Sequence, residues 1–336
     1  MKTISKQMIK SALMYSQVPR LIAWGLATRV VILRYHSVLD EPSRYADSIG
    51  YGIIHSTRSF RAHMEILASE YHPVTIDDLL LFLTGQKDLQ RRSVLVTFDD
   101  GYADNCEIAV PILDHYGISA AFYVAVGPID APPIPWFSRL RYAFSISNRD
   151  TVFDIAEQRD RPLKEQADRY AAFQSAARHC ACLVGNKQES AVREIEKHLN
   201  VAPLDAKECP MMTWDQVREV RRHGHTVGSH TVTHPNMAHV SAEELQHELV
   251  ESKRKLEQVL GEPIVHFSYP SPILEPHYTE ETIRACAQAG YKTSVTCTSG
   301  GVQPWHNPLA IQRIHSDDDK LQFRWNLEWT FLGGRP

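Results

Sequence analysis

The stretch that decides the fold is SVLVTFDDGY, Ser93 to Tyr102. An apolar strand runs straight into Asp99 and Asp100, and Gly101 allows the sharp turn that follows. Two adjacent carboxylates at a strand's end repel one another and lose hydration, so a cation has to compensate them. Taken alone, the motif reads as readily as an Asp-Gly turn preceded by a solvated acid.

Runs of the same kind recur on either side. Val30–Leu33, Ala120–Val126, Thr226–Ser229, Ile264–Tyr269, Tyr291–Cys297 and Leu309–Ile314 complete a set of seven expected strands. Helix-period segments lie between most of them: Phe60–Tyr71, Asp104–Tyr116, Trp214–Arg222, Ala242–Leu260 and Glu280–Ala289. Thr213 and Ser241 stand where N-caps belong, and Gly117, Gly224, Gly261 and Gly290 stand where helices end. The alternation predicts an α/β fold on a parallel sheet, open or closed into a barrel, with its chemistry on the rim where strand C-termini converge.

One segment breaks the rhythm. Residues 131–209 open with APPIPW and continue through polar, helix-favouring sequence without a strand signal. They predict a helical insertion over the barrel mouth, either touching substrate or serving only as a cap. The expected organisation is a helical extension over 1–29, a barrel from 30–130 and 210–336, and the insertion between its halves.

Composition narrows the function. The 336 residues suit one barrel with an insertion as well as two domains, and 23% charged with 43% hydrophobic residues allows a sizeable core. A net charge of -4 with scattered basic residues provides no field to collect nucleic acid. The six cysteines lack the density of a disulfide scaffold, and Cys180 and Cys182 are not spaced as a zinc knuckle or redox pair, so all read as thiols. Leu21–Ala27 is too short to span a membrane and has no clean cleavage site, which favours a cytoplasmic protein. Ile4, Met8, Ile9, Leu13 and Met14 fall on one side of a helix, a face suited to packing on the barrel or to peripheral contact with the membrane's inner surface. No pattern sets an oligomeric state.

Seventeen histidines raise the prospect of metal or acid–base chemistry. Two stand in GHTVGSHTVTHP, Gly224 to Pro235. His230 and His234 are spaced i, i+4, but Gly228 and Pro235 argue against a helix; a strand ending near Ser229 and a curled loop still let both imidazoles converge on one ion. Two histidines and a carboxylate form the three-ligand set of a catalytic zinc site, with one position open for water. Another histidine, His36, ends the strand-like VVILRYHSV, Val30 to Val38, where a ring hydrogen-bonded to a backbone carbonyl is the ordinary reading.

VTFDDGY and SHTVTH resemble the first two motifs of the polysaccharide deacetylases, the NodB-type or carbohydrate esterase family 4 enzymes. MTWDQVREVRRHGHTVGSH, Met212 to His230, is similar to the helix and strand leading to that histidine motif. With YHSV, SFRAHMEILASEY and FSYPS, the resemblance covers about Val30–Gly127 and Met211–Ile314. It implies a distorted (β/α)7-type barrel, a divalent metal on Asp100, His230 and His234, and Asp99 as catalytic base. The implied reaction is hydrolysis of the N-acetyl group of an N-acetylated sugar in a polysaccharide, oligosaccharide or glycolipid precursor. Zinc is the default ion for such donors; nickel, cobalt and iron also suit them.

Two departures matter. The family's usual acid is a histidine in a late LxH motif, and this chain offers only RIH, with His315. A circularly permuted branch uses an early strand ending in YH, which Tyr35 and His36 match, so His36 is the expected acid. Where the family's third motif is Arg-x-Pro-x-Gly, this chain has SYPSP, Ser268 to Pro272. Ser271 N–H is then the expected oxyanion donor, with Tyr269 and Tyr102 as further substrate or oxyanion contacts. Arg313 on the last strand either replaces the lost arginine in orienting Asp99 or forms an ordinary ion pair. The rival readings are hydrolysis of another C–N bond, in a ureide or cyclic imide, and a carbohydrate-binding homologue without activity.

Overall fold

A computed structural model describes residues 30–50, 52–130 and 134–336. The expected N-terminal helix and its apolar stripe lie outside these residues. Seven strands form one parallel sheet: β1 (Val30–Tyr35), β2 (Ser93–Phe98), β3 (Ala120–Val124), β4 (Thr226–Ser229), β5 (His266–Ser268), β6 (Thr293–Val295) and β7 (Ile314–His315). Their order is β6-β5-β4-β3-β2-β1-β7. A parallel bridge from Val295 to Ile311 carries the segment before β7 onto β6, so the strands follow chain order round a curled, barrel-like sheet. The short strand His72–Pro73 adds one more parallel pairing on β2.

Six of the seven expected strands are present, and the last, expected over Leu309–Ile314, is shortened and shifted to Ile314–His315 with Ile311 held by a bridge. Every residue of β2 and β3 is buried, as in a sheet covered on both faces, which is why these strands read as unbroken apolar runs. Full-length pairing of β1 with β2, from Val30–Ser93 to Tyr35–Phe98, makes His36 and Asp99 leave the sheet at the same level. Asp99 N–H donates to Tyr35 O at 3.0 Å. On the other side of β2, β4 ends level with β3, and His230 N–H donates to Val124 O at 3.0 Å.

The helices start and stop where local chemistry dictates. Thr213 with Gln216, and Ser241 with Glu244, each close a capping box, and Gly261 ends the helix Ala242–Leu260 at φ 70°. That helix buries Leu245, Leu249 and Leu256 in the main core with Val227 and Phe267. Truncating Leu249 to alanine is worth about 2–5 kcal/mol at such a site.

Three helices, Trp136–Ile146, Gln166–Ala181 and Gly185–Leu199, surround a second core of Leu140, Phe144, Cys180, Val192, Ile195 and Leu199. Arg139 forks onto both oxygens of Glu196 within it (2.9 and 2.6 Å). The absence of a strand signal here misled: Thr151–Asp154 and Arg159–Pro162 pair as an antiparallel hairpin. Only Val152 and Asp154 of the first strand are buried, and the second is the polar run RDRP, so the alternation is too short to read. Ion pairs of Arg161 with Asp154 and Glu157 hold the register instead.

A buried histidine makes the fold acid-sensitive. His63, on the helix Thr57–Glu70, stacks on Phe323 (centroids 3.8 Å apart) with Nδ1 3.1 Å from Tyr35 Oη. Burial, and next the neighbouring His55, push its imidazole down to about 3. The unfolded chain takes up this proton near the ordinary value, so stability is full above about pH 6.5 and is lost as pH falls toward 3. Denaturation measured between about pH 7 and pH 5 is expected to show stability falling, by up to about 1.4 kcal/mol per pH unit through this residue. His63→Gln, which cannot charge, should flatten the slope; equal slopes in both proteins would contradict the assignment.

Candidate active site

The turn ending β2 is tighter than an Asp-Gly pair alone suggests. Asp100 itself takes φ 74°, followed by Gly101 at φ 89°. A side-chain-bearing residue held there costs about 1–3 kcal/mol, and the result is that the two carboxylates meet different partners. Asp99 Oδ1 and Oδ2 accept from Arg313 Nη1 (2.8 Å) and Nη2 (2.6 Å). The two roles left open for Arg313 therefore merge: it is a buried ion pair, and its partner is Asp99. The guanidinium also donates to Thr97 Oγ1 (3.1 Å), Ser268 Oγ (3.1 Å) and Thr296 O (2.9 Å). Burial alone would raise the Asp99 carboxyl, but the charge and hydrogen bonds of Arg313, with His230 and His36 beside it, together outweigh burial and hold the group well below the usual carboxylate range.

Asp100 faces the histidines. Its Oδ1 lies 3.4 Å from His230 Nε2 and 3.3 Å from His234 Nε2. His230 Nδ1 sits 2.8 Å from Ser268 O; a carbonyl only accepts, so the ring proton is on Nδ1 and the Nε2 lone pair points at the carboxylate. One donor atom from each of Asp100, His230 and His234 lies within 4.8 Å of the others, all three residues are buried, and Asp100 Oδ1 has no hydrogen-bond partner among the described residues. The His230 lone pair and the Asp100 carboxylate repel, and with His234 Nε2 beside them a divalent cation is what this donor set fits.

The loop bearing His234 is shaped by residues that the motifs did not reveal. Thr231 and His234 take φ 71° and 54°. The fully buried Glu248 accepts from Val232 N–H (2.7 Å), Thr233 N–H (2.9 Å) and the Thr233 hydroxyl (2.6 Å). Trp136 Nε1–H donates to His234 O (3.1 Å), and the Phe137 ring lies 4.8 Å from the His234 ring. The one signal for Glu248 was its place in the stripe Leu245–Leu249–Leu256, where a solvated acid does not belong.

His36 is buried at the end of β1, and its Nδ1 has no hydrogen-bond partner among the described residues. Burial pushes its imidazole down to about 3, against the pull of Asp100 and then Asp99, so it shares an electrostatic environment with both carboxylates. Asp104 accepts from Val38 N–H (2.8 Å) and Ser37 Oγ (2.7 Å), and Asn105 donates to His36 O (2.6 Å), which clamps the segment. His315 lies elsewhere: its ring is 6.0 Å from His55.

The remaining expected contacts fare differently. Tyr269 is committed to the sheet, with its N–H on Val295 O (3.0 Å), its hydroxyl on Leu309 O (3.1 Å) and its ring stacked on Tyr278, so its side chain is not at the rim. Tyr102 is fully buried; burial, and next the Asp100 charge, raise its phenol well above the ordinary value. Ser271 is half-buried on the loop after β5. A cavity opens from Asp100 and His234 toward Pro135, Trp136, Phe137 and Gln188.

The sequence profile described as polysaccharide deacetylase matches residues 86–161 and 163–294, more than half of the chain. The chain belongs to the polysaccharide deacetylase family. The matched range runs through the helical segment that the motifs alone left outside. This deacetylase is 23% identical over 287 residues to the Bacillus subtilis protein named "Putative polysaccharide deacetylase YxkH", across 85% of this chain and 71% of that one. Over 92 residues it is 26% identical to a Bacillus cereus peptidoglycan-N-acetylglucosamine deacetylase, 27% of this chain and 41% of that one. Two solved structures, each 18% identical, share the fold. Streptococcus pyogenes deacetylase PplD in complex with acetate has a TM-score of 0.60 over 91% of this chain and 99% of its own. IcaB from Ammonifex degensii has a TM-score of 0.58 over 90% and 97%.

The geometry separates candidate ligands from supports. Asp100→Ala is expected to abolish tight zinc binding in a chelator-competition assay, and Asp99→Asn to preserve it. Glu248→Leu, which strands two loop N–H groups, should weaken zinc binding about 10- to 100-fold, and Glu248→Gln less. Full affinity in Glu248→Leu would show that the loop holds its shape unaided.

Proposed function

We propose that this chain removes the acetyl group from an N-acetylated sugar of a polysaccharide, oligosaccharide or glycolipid precursor by metal-dependent hydrolysis. The observation that carries the reading is the convergence of the Asp100, His230 and His234 donors beside an Asp99 fixed at both oxygens by Arg313, in a chain of this family. A divalent ion on the three donors, zinc by preference, supplies Lewis acidity toward the amide carbonyl and the attacking water.

The chain's own residues do the rest. Asp99 is ionised at neutral pH and stands outside the three-donor set, so it takes the proton from the water. The Arg313 charge keeps its proton affinity low, and the proton moves on rather than staying. His36 is uncharged at rest because of its burial, so the proton it hands to the departing nitrogen is the one the water released. Ser271 N–H is the proposed donor to the developing oxyanion. The helical segment is proposed to cover the barrel mouth and take the glycan in the cavity lined by Asp100, His234, Trp136 and Phe137.

Acetate release from N-acetylglucosamine oligomers is expected to stop after chelation and return with added zinc; release that ignores the chelator would overturn the reading. His36→Ala should keep fold and zinc yet lose about 10²- to 10⁴-fold on amides, with far less loss on an activated acetate ester whose leaving group needs no proton. His315→Ala should be nearly neutral. A crippled His315→Ala beside a mild His36→Ala would place the acid on the last strand.

A further inference from the structure

Cys297, just beyond β6, and His277, in the loop after β5, form a pair outside the machinery described above. Sγ lies 3.1 Å from His277 Nδ1. The other ring nitrogen, Nε2, lies 3.0 Å from Pro272 O. A carbonyl only accepts, so the neutral ring carries its proton on Nε2 and turns the Nδ1 lone pair to the thiol. The thiol proton has a short path to Nδ1, which leaves a thiolate beside an imidazolium, the arrangement that makes a cysteine nucleophilic.

The surroundings favour the charged form. Arg34 on β1 and Arg313 both bring positive charge to the sulfur, and Glu275 does the converse for His277. Burial works against the thiolate, and His277 with the two guanidiniums outweighs it, so Cys297 is held below the ordinary thiol value. Burial raises the other five thiols, Cys106, Cys180, Cys182, Cys209 and Cys286. Cys297 is also only partly buried, and within reach of a small reagent.

We propose that Cys297 is a modification site, a thiolate held by His277 that reacts with hydrogen peroxide at the rim of the barrel. The sulfur attacks one peroxide oxygen and the O–O bond breaks. Sulfur is oxidised by two electrons to the sulfenic acid, the leaving hydroxide is the reduced product, and it takes the His277 proton to become water. Thr296, the residue before Cys297, holds the Arg313 Nε through its carbonyl at 2.9 Å, so the modified side chain sits next in the chain to a contact of the guanidinium that orients Asp99.

The test uses the full-length protein. Iodoacetamide labelling at about pH 6, read by peptide mass spectrometry, should modify Cys297 about tenfold faster than Cys106 and Cys182, the other two half-buried thiols. His277→Gln, which cannot take the proton, should slow Cys297 about tenfold at pH 6 and converge with wild type near pH 9. After brief exposure to hydrogen peroxide, dimedone should label Cys297 first. Equal rates for the three cysteines at pH 6, or a His277→Gln profile identical to wild type, would overturn the proposal. Should that variant fail to fold, the wild-type pH profile decides: a Cys297 midpoint below those of Cys106 and Cys182 supports the proposal, and one level with or above them overturns it.

Discussion

One buried guanidinium organises the rim. Arg313 is 1% exposed, and its five N–H donors are all assigned: two to Asp99, and one each to Thr97, Ser268 and the Thr296 carbonyl. These partners lie on or just beyond β2, β5 and β6, so a single side chain entering ahead of β7 ties together elements from around the sheet. A buried ion pair of this kind adds little net stability against an apolar replacement, yet losing one partner costs about 3–5 kcal/mol because a charge is left stranded. Its value is geometric: a planar fork fixes both carboxylate oxygens, which a lysine ammonium cannot do.

With Asp99 held this way, Asp100 is released for a different task. The left-handed turn at Asp100 and Gly101 sends it to the histidines, and a second left-handed pair, Thr231 and His234, curls the facing loop back toward it. The second segment is over-determined by its surroundings. Glu248 accepts from the Val232 and Thr233 N–H groups, and the Trp136 indole N–H donates to the His234 carbonyl. The helical segment is thus bonded to the loop that carries His234, and its removal would disturb the donor set as well as the cavity.

Much of the barrel was legible because buried parallel strands are short, uncharged and bounded by turns, as SVLVTF shows. The last strand was displaced: Leu309–Ile314 is divided, with Ile311 bridging to β6 and Ile314 pairing with Leu33 on β1. The acidic doublet and both histidines could be read from local spacing. Arg313 stayed open between orienting Asp99 and an ordinary ion pair, because its carboxylate lies 214 positions away in the chain and no local pattern links them. Glu248 was not singled out, although it lies on the buried stripe of its helix. Tyr269 was expected to touch substrate or oxyanion because it belongs to the SYPSP motif, but its hydroxyl donates to Leu309 O, in the segment before β7.

The central claim is that Arg313 keeps Asp99 ionised and aimed. Burial is the larger influence on that carboxyl taken alone, so without the guanidinium its proton affinity should rise, moderated by His230 and His36. The pH dependence of kcat/KM on N-acetylglucosamine oligomers, measured for wild type and Arg313→Gln at matched zinc content, tests this directly. The acid limb is predicted to move up by about 1–3 pH units in the variant, with activity recovering on the alkaline side. An unchanged profile in a folded, zinc-loaded Arg313→Gln protein would contradict the account.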